Sequence, residues 1–231
     1  MSRTIAIIGA MDEEVALIAR SLTDAATHAE AGLNVTEGTF VGETGETLHV
    51  VATVAGMGTV NAAATTQHLI DAYAPEAVIF SGIAGNLNKD LHINDVVLGG
   101  TLRYLDTDMR LIAQSAPKTD EFHSDPHLLA VADAALTDMG ITHITGVIAT
   151  GNYFVEGDEN TAKVKAETGA DAVEMEGAAV AHVAARNEVP ALVIRALSDN
   201  ADTEYETFKD FDISEYADTA AKLVLNILGR L

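Results

Sequence analysis

Ala-Val-Glu-Met-Glu-Gly-Ala-Ala-Val-Ala-His-Val-Ala-Ala-Arg-Asn-Glu-Val-Pro-Ala-Leu-Val-Ile-Arg-Ala-Leu-Ser-Asp-Asn (172–200) switches twice between two kinds of regular structure. Ala172–Glu174 reads as a short buried strand and Gly177–Arg186 as a strongly apolar helix. Pro190 breaks that helix, and Ala191–Leu197 reads as a further strand. The rhythm recurs outward. Thr4–Ile8 is a buried strand. Met11-Asp12-Glu13-Glu14 opens a helix running through Leu22, with acids in its first turn and Val15, Leu17, Ile18 and Leu22 on one side. Val35–Phe40 and Leu48–Val54 are β-like around the turn-rich Gly42-Glu43-Thr44-Gly45. Thr59–Ala72 is an alanine-rich helix, and Ala77–Phe80 and Asp95–Leu98 are strands. Asp125–Met139 is a helix with Asp125 as N-cap, Pro126 first and Gly140 as its stop. Thr145–Ala149 (strand), Asn160–Glu167 (helix) and the amphipathic Ile213–Leu231 complete the pattern. Strands alternating with helices predict an α/β fold: a central mixed, largely parallel twisted sheet flanked by helices. With no repeat or linker, 1–231 reads as one domain. Its longest irregular stretches are Leu105–Ser124 and Asn200–Asp212.

Composition excludes several classes. Close to half of the 231 residues are hydrophobic (48%), enough for a large core, yet no apolar run approaches a membrane span. The opening Met1-Ser2-Arg3-Thr4 runs into a strand rather than a secretory leader, and there is no cysteine. The expectation is a cytoplasmic protein without thiolate chemistry. The formal charge of −22 leaves no basic stripe for nucleic acid and reads as a solvated acidic surface.

Among familiar motifs, Gly9 follows a strand, but Gly-Ala-Met-Asp-Glu is not a dinucleotide-binding loop. No phosphate loop, nucleophile elbow or zinc-binding helix is present. His123 and His127 are four apart, but Pro126 lies between them, so they read as surface residues and no metal is expected. What stands out is polar groups at three strand ends, where open α/β sheets bind ligands. Ile8–Glu14 ends in acids, which alone is an ordinary helix start. In Val173-Glu174-Met175-Glu176-Gly177-Ala178, two acids point to one side of a strand that meets an all-apolar helix, and acids so near a core are costly unless bonded. Val193–Asn200 carries Arg195 and ends in Ser198-Asp199, for which an ion pair and a turn are the plain alternative. Two glycine-rich turns, Ala55-Gly56-Met57-Gly58-Thr59 and Ser81-Gly82-Ile83-Ala84-Gly85, allow close backbone approach to a ligand.

In this order the segments resemble the nucleoside phosphorylase/hydrolase superfamily, and within it the 5′-methylthioadenosine/S-adenosylhomocysteine nucleosidases. Ile-Ile-Gly-Ala-Met-Asp-Glu-Glu-Val (7–15), Ala-Gly-Met-Gly-Thr-Val-Asn-Ala-Ala (55–63), Ser-Gly-Ile-Ala-Gly (81–85), Ala-Thr-Gly-Asn-Tyr-Phe-Val (149–155), Val-Glu-Met-Glu-Gly (173–177) and Arg-Ala-Leu-Ser-Asp (195–199) carry the resemblance. It implies a nucleoside phosphorylase-like fold and hydrolysis of an N-glycosidic bond. Glu14 matches the base that activates water, and Asp199 the acid that protonates purine N7. Glu176 matches the carboxylate on the ribose hydroxyls, helped by the Met175 backbone. Phe154 matches the ring on the purine, and the Val155 backbone the reader of the adenine edge. Arg195 matches a residue beside the water and the acids, and Ser198 orients Asp199. Met11, Gly82, Ile83 and Glu174 are expected among the substrate contacts. The chemistry fits by analogy with sugar–sugar cleavage, where carboxylates supply both the leaving-group acid and the water-activating base. Asp199 must carry a proton to donate it, and Glu176 is expected to stay ionised to accept from hydroxyls.

The chain departs from the family at Ile83, where serine is frequent, which leaves Glu14 and Arg195 to position water. It departs also at Asn152, where aspartate is frequent, and along Leu105–Ser124. A phosphorylase would hold phosphate with arginines, but only seven exist, none in the first glycine turns, and Glu14 would repel the anion. A non-catalytic nucleoside binder would not need to keep Glu14, Glu176 and Asp199 together. Water is therefore the expected nucleophile and an adenine nucleoside the partner. The resemblance further implies a homodimer and no cofactor.

Overall fold

The computed structural model describes residues 3–43, 45–201 and 212–231. Nine strands and seven helices are found among them: β1 (Arg3–Gly9), α1 (Asp12–Arg20), β2 (Thr23–Glu30), β3 (Leu33–Val41), β4 (Thr47–Val54), α2 (Thr59–Tyr73), β5 (Ala77–Asn86), β6 (Val96–Tyr104), α3 (Met109–Ile112), α4 (Pro126–Met139), β7 (His143–Thr150), α5 (Asp158–Thr168), β8 (Ala172–Glu174), α6 (Gly177–Arg186), β9 (Ala191–Asp199) and α7 (Ser214–Arg230). The expected α/β architecture is present.

One sheet holds all nine strands in the order β2-β3-β4-β1-β5-β8-β7-β6-β9, and β9 pairs again with β5. Five strands therefore close on themselves, with β1 to β4 as an open wing. The sheet is mixed: β1–β4, β1–β5, β5–β9, β6–β7 and β7–β8 are parallel, whereas β2–β3, β3–β4, β5–β8 and β6–β9 are antiparallel.

The period-2 alternation of the strands sorts the core into layers. Ile5, Ile7, Val50 and Ile79 pack with Val15 and Ile18 of α1, Leu136 of α4 and Leu223 and Ile227 of α7. Ala6, Ile8, Val51, Val78 and Phe80 face the other way, onto Ala62 and Leu69 of α2 and Ala178 and Val180 of α6. Both layers are buried, which is why the central strands read as continuous apolar runs.

Two differences from the sequence reading have physical causes. Ser81–Gly85 is not a turn but the second half of β5, in register with β9. Its glycines serve close packing rather than reversal, whereas Gly56 and Gly58, at φ 84° and 95°, do make a turn. β2 lacks apolar alternation because it is an edge strand, mostly exposed, so periodicity gave no signal for it. Leu105–Ser124 is irregular as expected, apart from α3 and a single bridge from Phe122 to Leu102. Most of Asn200–Asp212 lies outside the described residues.

The α4 start follows its sequence signals. Asp125 Oδ1 accepts from the amides of His127 (2.9 Å) and Leu128 (3.0 Å), Pro126 leads the helix, and Gly140 ends it at φ 68°. Asp125→Ala should cost about 1 kcal/mol, lowering the thermal midpoint by about 2–4 °C in a chain of this size. An unchanged midpoint in a calorimetric scan would show that this cap contributes nothing.

Candidate active site

The site begins with a gap in a strand edge. β9 runs along one edge of β5 from Val78 to Gly85. On the other edge β1 pairs with β5 only as far as Phe80, and β8 takes over at Gly85. Between them, among the described residues, Ser81–Ala84 has no strand partner on that edge. A buried amide there must find another acceptor, and Glu14 supplies it. Its Oε1 accepts from the Ile83 amide (3.0 Å), and its Oε2 from the amides of Ala10 (2.6 Å) and Met11 (3.0 Å). The Met11 bond is the return half of a helix-start arrangement in which the third residue reaches back to the cap. Glycine is required on the facing strand: a Cβ on Gly82 would lie 2.2 Å from Glu14 Oε1.

A second group of charges lies next to it. Arg195, on β9, is 1% exposed. Its guanidinium lies 4.2 Å from the centre of the Phe80 ring. It donates through Nε (3.1 Å) and Nη2 to Glu174 Oε2 and stands 3.7 Å from Glu176 Oε2. Glu174 also accepts from the amides of Glu176 (3.1 Å) and Gly177 (2.7 Å) and from the Thr150 hydroxyl. Glu176, at the start of α6, accepts from the Gly58 amide across the cleft (2.7 Å). Asp199 ends β9. Its Oδ2 accepts from the Ser198 hydroxyl (2.8 Å) and its Oδ1 from the Ala201 amide (2.7 Å).

These groups border a cleft of about 370 Å³, within the range of small-molecule sites. Glu14, Glu176, Asp199 and Ser198 line it, as do Met11, Ile83 and Met175, and Phe154 and Val155 form the facing wall. Two expected contacts are not on its surface. Gly82 does not line the cleft, because its missing side chain makes room for the Glu14 carboxylate. Arg195 is buried behind the wall, against the acids, and is not among the lining residues. Glu174 does reach the cleft; its Oε2 is taken up by Arg195 and two amides, and its Oε1 accepts from the Thr150 hydroxyl. Sequence reading missed Thr150, Gly58 and Asn152 as parts of the site. Thr150 and Asn152 lie inside the quoted 149–155 segment, and Gly58 inside a recognised turn, but hydrogen bonds across the fold have no signature in spacing.

Charge is out of balance here. Burial pushes the Glu14 carboxyl up; the Arg195 charge and the amides of Ala10, Met11 and Ile83 oppose that without cancelling it. Glu176 is pushed up to about 7, first by burial and then by the Glu174 charge, against the pull of Arg195 and the Gly58 amide. In the ligand-free protein burial and the Glu174 charge thus favour its protonated form relative to an exposed glutamate, and Arg195 offsets only part of that.

The phosphorylase superfamily profile matches residues 4–229. The chain is 35% identical to the 5′-methylthioadenosine/S-adenosylhomocysteine nucleosidase of Aeromonas salmonicida (strain A449), over 98% of this chain and 99% of that one. It superposes on the nucleosidase of that name from Neisseria meningitidis in complex with methylthio-immucillin-A, with a TM-score of 0.91, 31% identity and coverage of 99% and 100% of the two chains. The Colwellia psychrerythraea 34H nucleosidase in complex with adenine gives a TM-score of 0.90 at 35% identity, covering 100% of this chain and 96% of that one. With a match along nearly its whole length, the chain belongs to the phosphorylase superfamily and, within it, to the 5′-methylthioadenosine/S-adenosylhomocysteine nucleosidases.

Proposed function

We propose that the cleft hydrolyses the N-glycosidic bond of 5′-methylthioadenosine and S-adenosylhomocysteine, giving adenine and the 5′-thio-substituted ribose. The observation that carries this reading is the chemistry of the wall. Among the described residues it holds Glu14, Glu174, Glu176 and Asp199 and no lysine, arginine or histidine. Such a wall repels phosphate and suits water as nucleophile. The ligands named for the Neisseria and Colwellia relatives support an adenine nucleoside as substrate.

In the reaction a water oxygen bonds to C1′ as the C1′–N9 pair departs with the purine. Asp199 gives its proton to N7, and Ser198, bonded to the carboxylate, sets its orientation. Glu14 takes the proton of the attacking water, and its raised pKa makes it a stronger base than an exposed glutamate. Glu176 accepts from the ribose hydroxyls, with the Met175 backbone beside it. Phe154 stacks on the base, and the Val155 backbone reads its edge. Arg195 acts from behind, holding Glu174 and moderating Glu14 and Glu176. These side chains and water suffice for the step.

The cleft mouth carries exposed apolar residues: Met57 (54%) and Tyr153 (46%) line it, and Val60 (78%) follows in α2. A second copy of the chain covering them accounts for that exposure, so the working unit is a homodimer. No helix among the described residues is long and apolar enough to cross a membrane. A diffusible nucleoside substrate and a cysteine-free chain fit a cytoplasmic enzyme.

Incubation with 5′-methylthioadenosine should release adenine and methylthioribose equally well with and without phosphate; strict dependence on phosphate would overturn the assignment of Glu14. Asp199→Asn should lower kcat by about 10²–10⁴-fold while the melting curve stays close to wild type, and near wild-type turnover would remove Asp199 from the mechanism. The pH profile tests the charge states. Glu176 and Glu14 must both be ionised in the free enzyme while Asp199 keeps its proton, so the acid limb of kcat/KM, on which it rises with pH, lies near 7. For Glu176 alone it is about tenfold lower at pH 6 than at pH 8. A flat profile across that range would contradict the role given to Glu176.

A further inference from the structure

The mechanism above leaves Asn152, a polar residue of the cleft wall, without a role. Asn152 stands in the wall between the base-facing Phe154 and the turn that carries Gly58. Its Oδ1 accepts from the Thr59 amide (3.0 Å) and from the Thr59 hydroxyl (2.9 Å). The backbone amide can only donate, so the side-chain oxygen must face it. Thr59 is the first residue of α2, whose own cap position is Gly58 and offers no side chain. Asn152 thus supplies the missing cap from a distant segment. Its own amide donates to Asp106 Oδ2 (2.8 Å), which anchors it from the other side. The turn it clamps is the one whose Gly58 amide reaches Glu176 Oε1 at 2.7 Å.

We propose that Asn152 is a positioning residue for ribose recognition: by capping α2 from the base-facing wall, it aims the Gly58 amide at Glu176 and so couples occupancy of the base wall to the carboxylate that takes the ribose. This rests on the reading of Glu176 as the ribose acceptor. The charged groups around Glu176 are Glu174 on β8, Arg195 on β9 and Glu14 on α1. None of them touches Asn152, so its effect reaches Glu176 through Gly58.

Asn152→Ala removes the clamp and leaves the backbone bond to Asp106. KM for 5′-methylthioadenosine should rise about tenfold with kcat within about threefold, and inhibition by free adenine, which has no ribose, should stay within about twofold. Asn152→Asp, which keeps an acceptor at the helix start, should return KM to within about threefold of wild type. An unchanged KM would overturn the proposal, as would a loss of adenine affinity as large as that of the nucleoside. A ligand-free measurement separates this proposal from the substrate assignment. In Asn152→Ala, the Glu176 carboxyl carbon should titrate about half a pH unit higher than in wild type by NMR. An unmoved midpoint refutes the coupling whether or not the nucleoside is cleaved.

Discussion

One buried guanidinium facing three buried carboxylates is the constraint on which the rest of the site depends. Arg195 is carried into the interior on β9, against the Phe80 ring, with Glu174, Glu176 and Glu14 around it. Removing such charges from water is expensive, and a single cation offsets only part of that cost. Glu174 takes the best geometry and also gathers two amides and a hydroxyl. What is left over appears as raised pKa values on the two carboxylates that border the cleft, Glu14 and Glu176. Glu176 therefore makes the ligand-free fold less stable as pH rises from about 4.5 to about 7, because the folded chain holds a proton that the unfolded chain has released. In the proposed reaction, the same imbalance is what makes Glu14 a better base and a nucleoside's hydroxyls welcome donors to Glu176.

The fold supplies this arrangement through backbone groups more than through cations. β5 changes neighbour from β1 to β8, and the interval leaves the Ile83 amide for Glu14. Gly82 lets the carboxylate lie against the strand, and the turn at Gly58, held by Asn152, presents an amide to Glu176. Amides add no net charge, so they fix each carboxylate in place without silencing it as a base, which an added arginine would do. The result is a rigid wall of acids, hostile to phosphate and open to water.

Much of this was legible in the chain. The strand–helix alternation, the Asp125 cap and the α6 boundaries follow from periodicity and capping chemistry. The three polar strand ends do converge on one cleft: β1 and β9 run parallel to β5, and β8, antiparallel to it, meets β5 at Gly85. The edge strand β2 was not legible, since it is solvated on both faces and needs no alternation. Nor was the continuation of β5 through Ser81–Gly85, where glycines that look like a turn serve to admit a side chain. Arg195 was placed beside the acids correctly but a layer too far forward. Its neighbours are set by the β5–β9 and β6–β9 pairings, which no local pattern records. The upward push on Glu176 was not legible for the same reason, as it depends on which charges the closed sheet brings beside it.

The charge imbalance is tested most directly by titrating the carboxyl carbon of Glu176 in the ligand-free protein by NMR, in wild type and in Glu174→Gln. The account predicts a midpoint of about 7 in wild type and a lower one once the neighbouring charge is removed. A midpoint in the ordinary glutamate range, unmoved by Glu174→Gln, would contradict it.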